Sequence, residues 1–189
     1  MTEQKTETSF LVTEEWLKNK RACTEGFQWF VKTFGKEAAI ELVLEKLAAE
    51  DHPGWAVWLL RRTGPMDVEK VFETDVEIKG HLFFAGRLVF KGSVKVSGSL
   101  CAGEGIEAGW GIEAGWGIKA GEGIKAGEGI EAGEGIEAGE GIEAGDDFGI
   151  YAGLRIKISM KYKYAKVVAK AEPKNLICGI FEKAMEAKS

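Results

Sequence analysis

The chain has 189 residues, a formal net charge of -5 and 45% apolar residues: long and apolar enough to bury a core, and too apolar to stay disordered throughout. Its three cysteines, Cys23, Cys101 and Cys178, are far apart and odd in number, which excludes a disulfide framework or a zinc-ligand spacing and suits a reducing cytoplasm. Met1 to Ser9 is polar and no run of about eighteen apolar residues occurs, so neither a signal peptide nor a membrane span is expected.

Residues 1–65 read as a small α-helical domain. Thr13 is placed to cap a first helix, with Glu14 and Glu15 at its positive end. Thr24 is placed to cap a second, carrying Phe27, Phe30, Val31 and Phe34 and stopped by Gly35. A third helix is predicted from Glu37 to Glu50, where Ile40, Val43, Leu44 and Leu47 keep the spacing of a buried stripe. Asp51 and Pro53 open a fourth with Trp55, Val57, Trp58 and Leu59, and Gly64-Pro65 stops it. Trp16, Trp29, Trp55 and Trp58 are expected in this domain's core rather than on a binding face.

Residues 66–171 carry a repeat of six. A large aliphatic residue recurs from Val76 through Leu82, Leu88, Val94, Leu100 and Ile106 to Ile142. After an insertion at Asp146, Asp147 and Phe148, the frame is expected to resume at Ile150, Ile156, Tyr162 and Val168. Two positions on, the residue is again apolar: Ile78, Phe84, Phe90 and Val96, then alanine from Ala102 to Ala144. Positions zero and two share one strand face and position one takes the other. Each hexad is therefore a short strand and a corner, and the apolar face is buried only when coils stack. Glycine at the corner fits unusual dihedrals or close backbone packing; of the 26 glycines, 17 fall between Gly103 and Gly153.

Three hexads per coil place Lys125 between Glu107 and Glu143 and set Lys119 against Glu137, pairings that are favourable across neighbouring strands. Lys157 is expected against Glu137 and Lys163 against Glu143. Glu113 over Glu131 runs against the pattern, and two hexads per coil give good pairs too. Sixteen hexads at three per coil make about five coils, roughly 25 Å in length. Residues 172–189 read as a C-terminal helix with Leu176, Ile177, Ile180, Phe181 and Met185 on one side. That helix and the N-terminal domain are expected to cap the solenoid's open ends. The predicted fold class is thus α+β: a helical domain, a β-solenoid and a capping helix.

The Ile-x-Ala-Gly-x-Gly hexads resemble the β-solenoids of the bactofilins, bacterial polymer-forming proteins. That resemblance implies a structural polymer, although a helical domain in front departs from the short tails usual in that family. The hexads are less similar to the hexapeptide-repeat acyltransferases, which place a small residue two positions before the aliphatic, where this chain has Glu or Trp. Thr13 to Leu17, with Ala22-Cys23, Gly26 and Trp29-Phe30, resembles small helical modules of prophage repeat proteins.

Little in the chain suggests catalysis. His52 in Asp-His-Pro and His81 at a corner read as turn residues without an orienting partner. The Gly-x-Gly fragments lack the helix N-terminus of a phosphate loop. Cys101 reads as a small neutral residue. The chain is expected not to be an enzyme and to need neither metal nor cofactor; a calcium site on stacked glutamates is the lesser alternative, without the Asp-rich nonapeptide of calcium solenoids. At the fourth position stand Glu104, Trp110, Trp116, Glu122, Glu128, Glu134 and Glu140. Buried unpaired carboxylates are too costly, so these residues are expected to point outward as an acidic, aromatic binding edge. Glu131, Glu137 and Glu143 are expected on the outer face.

Residues 102–147 hold two cations against twelve acids, a net -10, and residues 148–189 hold nine against three, a net +6. The first expectation is a cytoplasmic, non-enzymatic protein whose acidic face binds a basic protein surface. Its finer form is a phage-type inhibitor that mimics DNA toward a nucleic-acid-handling defence protein. The acidic face should not bind nucleic acid itself, because charge repels it. No membrane partner is expected, and a homodimer is compatible with the repeat. Arg155, Lys157, Lys161, Lys163 and Lys166 read as a nucleic-acid contact or as the complement of the acidic coils. A bactofilin-like polymer is the main alternative, and an acyltransferase the weakest.

Overall fold

The computed structural model describes residues 10–184. In it β1 (Leu11–Thr13) leads into α1 (Glu14–Asn19), where the Thr13 hydroxyl accepts the Trp16 N–H at 3.1 Å as an N-cap. Helix α2 (Thr24–Phe34) starts one residue earlier than expected: Cys23, not Thr24, holds the N-cap position, its sulfur accepting from the Gly26 N–H. Gly35, at φ 79, ends it. The first turn expected of the third helix is instead β2 (Glu37–Ala39), paired antiparallel with β1. That pairing buries Val12 and Ala38 together, a tertiary gain that overrides local helix preference.

Helices α3 (Ile40–Ala49) and α4 (Pro53–Thr63) follow, with Pro53 in the first turn and Gly64 at φ 75 past the end. Phe30, Ile40, Val43, Leu44, Leu47, Ala56 and Leu59 are buried. The four tryptophans are half-buried and pack around this core in pairs, Trp16 edge-on against Trp58 and Trp29 tilted against Trp55.

The solenoid begins a hexad before Val76, at β3 (Glu69–Phe72). Then come β4 (Val76–Ile78), β5 (Leu82–Phe84), β6 (Arg87–Phe90), β7 (Val94–Val96) and β8 (Leu100–Ala102). They continue as β9 (Ile106–Ala108), β10 (Ile112–Ala114), β11 (Ile118–Ala120), β12 (Ile124–Ala126) and β13 (Ile130–Ala132). After β14 (Ile136–Ala138), β15 (Ile142–Glu143) and β16 (Ile150–Ala152) stand a short helix α5 (Lys161–Tyr164), β17 (Lys166–Ala169), β18 (Leu176–Cys178) and β19 (Ile180–Lys183).

As far as β17 every third strand pairs in parallel, which makes three hexads per coil and three sheets; β18 and β19 then add to β16 and β17. The sides are named here by their first strands: five strands on the β3 side, six on the β4 side and six on the β5 side. The register is eighteen residues wherever hexads are unbroken, as in Ile112 beside Val94 and Ile130. The isoleucines from Ile106 to Ile142 and the alanines from Ala102 to Ala138 are buried, as alternation requires. Each buried isoleucine contributes about 1.5–3 kcal/mol, so the stacked column holds each three-residue strand in place.

The glycines after position two answer to close approach rather than to dihedrals. A Cβ on Gly121 would lie 2.0 Å from the carbonyl oxygen of Gly103 in the preceding coil, and one on Gly127 2.1 Å from that of Gly109. Glycines before position zero are looser, with 3.6 Å at Gly111. Ser93 and Ser99 occupy that slot in earlier coils.

The last coils depart from the repeat. At Gly153, φ 79, the chain leaves the coil, runs through a 3-10 turn and α5, and returns at Ala165. Ile156 and Tyr162 are therefore not strand residues, and Val167 and Ala169, not Val168, face inward. A short helix thus stands near the C-terminus as α5. The helix expected over 172–189 is replaced by β18 and β19 in its described part, and 185–189 lie outside the described residues. Gly179, φ 135, separates the two strands and lets both Leu176 and Phe181 pack on the core.

The helical region lies along the flank of the solenoid, not over its end. Phe83, Ala85 and Cys101, on the outside of the β5 side, belong to its buried cluster, and α3 packs on β5. No helix among the described residues is long and apolar enough to cross a membrane.

Candidate functional site

The three sides meet at three corners, and the fourth-position residues are divided among them. Glu104, Glu122 and Glu140 stack where the β5 side turns into the β3 side. Trp110 and Glu128 stack between the β3 and β4 sides, and Trp116 and Glu134 between the β4 and β5 sides. Backbone bonds fix the columns: Glu122 N–H to Glu104 carbonyl at 3.2 Å, Glu128 to Trp110 at 3.2 Å, Glu134 to Trp116 at 3.0 Å. None of the seven side chains turns inward.

This arrangement separates two kinds of edge. The purely acidic column is largely neutralised from within the chain. Arg87 reaches Glu107 at 2.8 Å and Glu122 at 3.3 Å, and Lys170 reaches Glu140 at 2.6 Å. Burial, and then the Glu122 charge beside it, raises the Glu104 pKa above the usual carboxylate range. A cation site is poorly served by carboxylates already shared with Arg87 and Lys170.

The two tryptophan corners border the same side. Trp110 precedes β10 and Trp116 follows it, with exposures of 58% and 39%, and Glu113 stands outward between them. Glu113 is paired to Lys95 at 2.7 Å, and Trp116 packs edge-on against His81 at 5.1 Å. One coil further, Glu128, Glu131 and Glu134 cross the same side, none with an ion-pair partner among the described residues. Two aromatic rings and three uncompensated carboxylates thus share the outward surface of the β4 side. Glu131 lies directly beside Glu113 and Tyr151, so like charges crowd there.

The other outer-face residues differ in fate. Glu143 on the β3 side is exposed and 3.9 Å from Lys125. Glu137 on the β5 side is half-buried and linked to Arg61 of α4. Burial alone would raise its pKa, but hydrogen bonds and charge from Lys119, at 2.8 Å, and from Arg61 hold it below the usual range. Glu137 is thus a half-buried strut between α4 and the solenoid, its charge already shared with Lys119 and Arg61. Its expected pairing with Lys157 does not form, because Val168 occupies the next register position. Lys163 lies over the Tyr164 ring rather than beside Glu143.

Sequence reasoning missed three connecting residues. His81 is not a bare turn residue: its Nδ1 accepts the Ser99 N–H at 2.8 Å, and its Nε2 lies 2.7 Å from Asp51 in the turn before α4. It pins the helical region to the solenoid. Arg87 was legible by eighteen-residue arithmetic, since it sits one slot after Gly86 at the corner that later holds Glu104 and Glu122. Arg61 carried no such signal. Burial pushes the Cys101 thiol up to about 12, which makes it inert. Beside it, a groove of about 490 Å³ between α4 and the β5 side is lined by Leu60, Arg61, Cys101, Lys119, Glu137 and Val168.

Among known proteins, residues 1–63 match the family model of the YdhT N-terminal domain, one third of the chain. Neither a curated protein nor a solved structure matches. The family match covers the helical region and ends where α4 ends, so the chain is a β-solenoid protein that opens with a segment similar to the YdhT N-terminal domain.

Proposed function

We propose that the chain is a non-catalytic binding protein that takes a partner with a basic surface onto the outward face of its β4 side. The observation that carries this reading is the placement of Trp110 and Trp116 on both borders of one side whose next coil presents Glu128, Glu131 and Glu134 without counter-charges. Exposed tryptophans supply desolvated anchors, and unpaired carboxylates supply the complement to lysine and arginine. Glu128, Glu131 and Glu134, spaced along one coil, form a short anionic row across that side. In its finer form the reading is mimicry of a nucleic-acid backbone, in an inhibitor of a nucleic-acid-handling protein.

The test is capture on the immobilised chain, washed at rising salt. A partner should be released as salt increases and should not bind Glu128→Lys/Glu131→Lys/Glu134→Lys. For mimicry, the captured protein's own nucleic acid must compete with the chain. Retention that ignores both salt and the triple substitution would overturn the reading.

A second reading, a structural polymer, is favoured by the first coil. Phe72, Val76, Ile78, Leu82 and Phe84 are only partly buried, and β3, β4 and β5 are end strands of their sheets. Open strand edges over an apolar layer invite another copy. Filaments in electron micrographs of the purified protein would establish it, and a uniform small particle would exclude it.

A further inference from the structure

The last coils differ from the rest in surface chemistry. Ile158 is 89% exposed and Tyr162 68%, and Leu154, Tyr164, Ile177 and Ile180 are exposed as well. Large exposed apolar residues clustered in one segment mark a contact surface. These belong together in space: the Lys161 ammonium donates to the Cys178 sulfur at 3.4 Å, between Ile177 and Ile180, and the Ile180 N–H donates to the Ala165 carbonyl at 2.8 Å. No acid occurs between Asp147 and Glu172. Lys157, Lys161 and Lys163 have no carboxylate within ion-pair reach among the described residues, while Arg155 folds back along the corner of Gly133 and Gly115.

We propose that this end of the solenoid is a docking surface for an anionic lipid bilayer, with the excursion from Gly153 to Ala165 entering the headgroup layer. The lysines meet the lipid phosphates, Ile158 and Leu154 enter the acyl boundary, and Tyr162 and Tyr164 sit at headgroup level, the usual depth of amphipathic rings. The apolar tip decides against nucleic acid: a phosphate backbone satisfies lysines but offers nothing to an isoleucine this exposed. The charge division along the chain fits the same orientation. The net -10 of residues 102–147 is repelled by an anionic surface, and the net +6 of residues 148–189 is drawn to it. This contact is peripheral and needs no spanning segment.

The test is co-sedimentation of the full chain with vesicles of phosphatidylglycerol and phosphatidylcholine, against vesicles of phosphatidylcholine alone. The chain should sediment only with the first, and less as salt rises. Ile158→Ser should weaken binding about tenfold and Lys157→Glu about twentyfold, with circular dichroism unchanged because both side chains are exposed. Equal sedimentation with both vesicles, or with neither, would overturn the proposal. So would binding of single-stranded DNA that Ile158→Ser leaves intact. Self-association of the chain without vesicles, dissolved by Ile158→Ser, would assign the patch to a second copy instead.

Discussion

The β4 and β5 sides are built from the same hexads and share one isoleucine–alanine interior, yet their outer surfaces face opposite environments. On the β5 side the outward residues of the first coils are Phe83 and Cys101, buried beneath α3 and its neighbours, and the next, Lys119, pairs with Glu137, which also takes Arg61. On the β4 side the same slots hold Glu77, Lys95, Glu113 and Glu131, open to solvent and bordered by Trp110 and Trp116. Position two of the repeat makes a coil, and position one says what the coil touches. An apolar residue there marks a covered side, and an uncompensated charge marks a surface left for something else.

The contrast predicts a graded series of substitutions. Phe83→Ala should cost about 3 kcal/mol in denaturant unfolding, because it empties a packed junction rather than a surface. A loss below ~0.5 kcal/mol would mean that the helices do not rest on this side. Gly127→Ala should cost about 1–3 kcal/mol, since its Cβ would meet the Gly109 carbonyl at 2.1 Å. Gly111→Ala, with 3.6 Å of clearance, should stay within about 0.5 kcal/mol.

Glu137→Gln should cost about 1 kcal/mol, as its ion pairs are partly solvated. The held-down Glu137 pKa has a definite sign: the stability it contributes is present above the unfolded carboxyl value of ~4.3 and is lost as pH falls through the lower folded value. Wild type and Glu137→Gln should therefore converge in stability in acid. Glu131→Lys should change stability by no more than ~0.5 kcal/mol, slightly for the better beside Glu113, while weakening capture of a basic partner.

The interior was legible because Ile106 to Ile142 and Ala102 to Ala138 repeat without a slip, and a period of six leaves little choice of side for each residue. The sharing of the seven corner residues among three columns followed from eighteen-residue arithmetic. The end of the solenoid was not legible, for a physical reason. Ile156 and Tyr162 keep the apolar period inside an excursion that never enters the core, and periodicity cannot distinguish the two. Leu176, Ile177, Ile180 and Phe181 satisfy both a helical stripe and two short strands; Gly179 between them was the signal for strands. The helical region's seat on the flank was foreshadowed only by Phe83 and Cys101, apolar residues in a slot that later holds charge. Its links through Arg61, Asp51 and His81 join residues far apart in sequence with no pattern to announce them.

The direct test of the covered and bare sides is thiol reactivity in the folded chain lacking Cys23 and Cys178. Cys101 should react with a maleimide only after unfolding, while a Glu131→Cys thiol reacts at the rate of a free cysteine. Equal native rates at the two positions would contradict the account, because the β5 side would then lie as open as the β4 side.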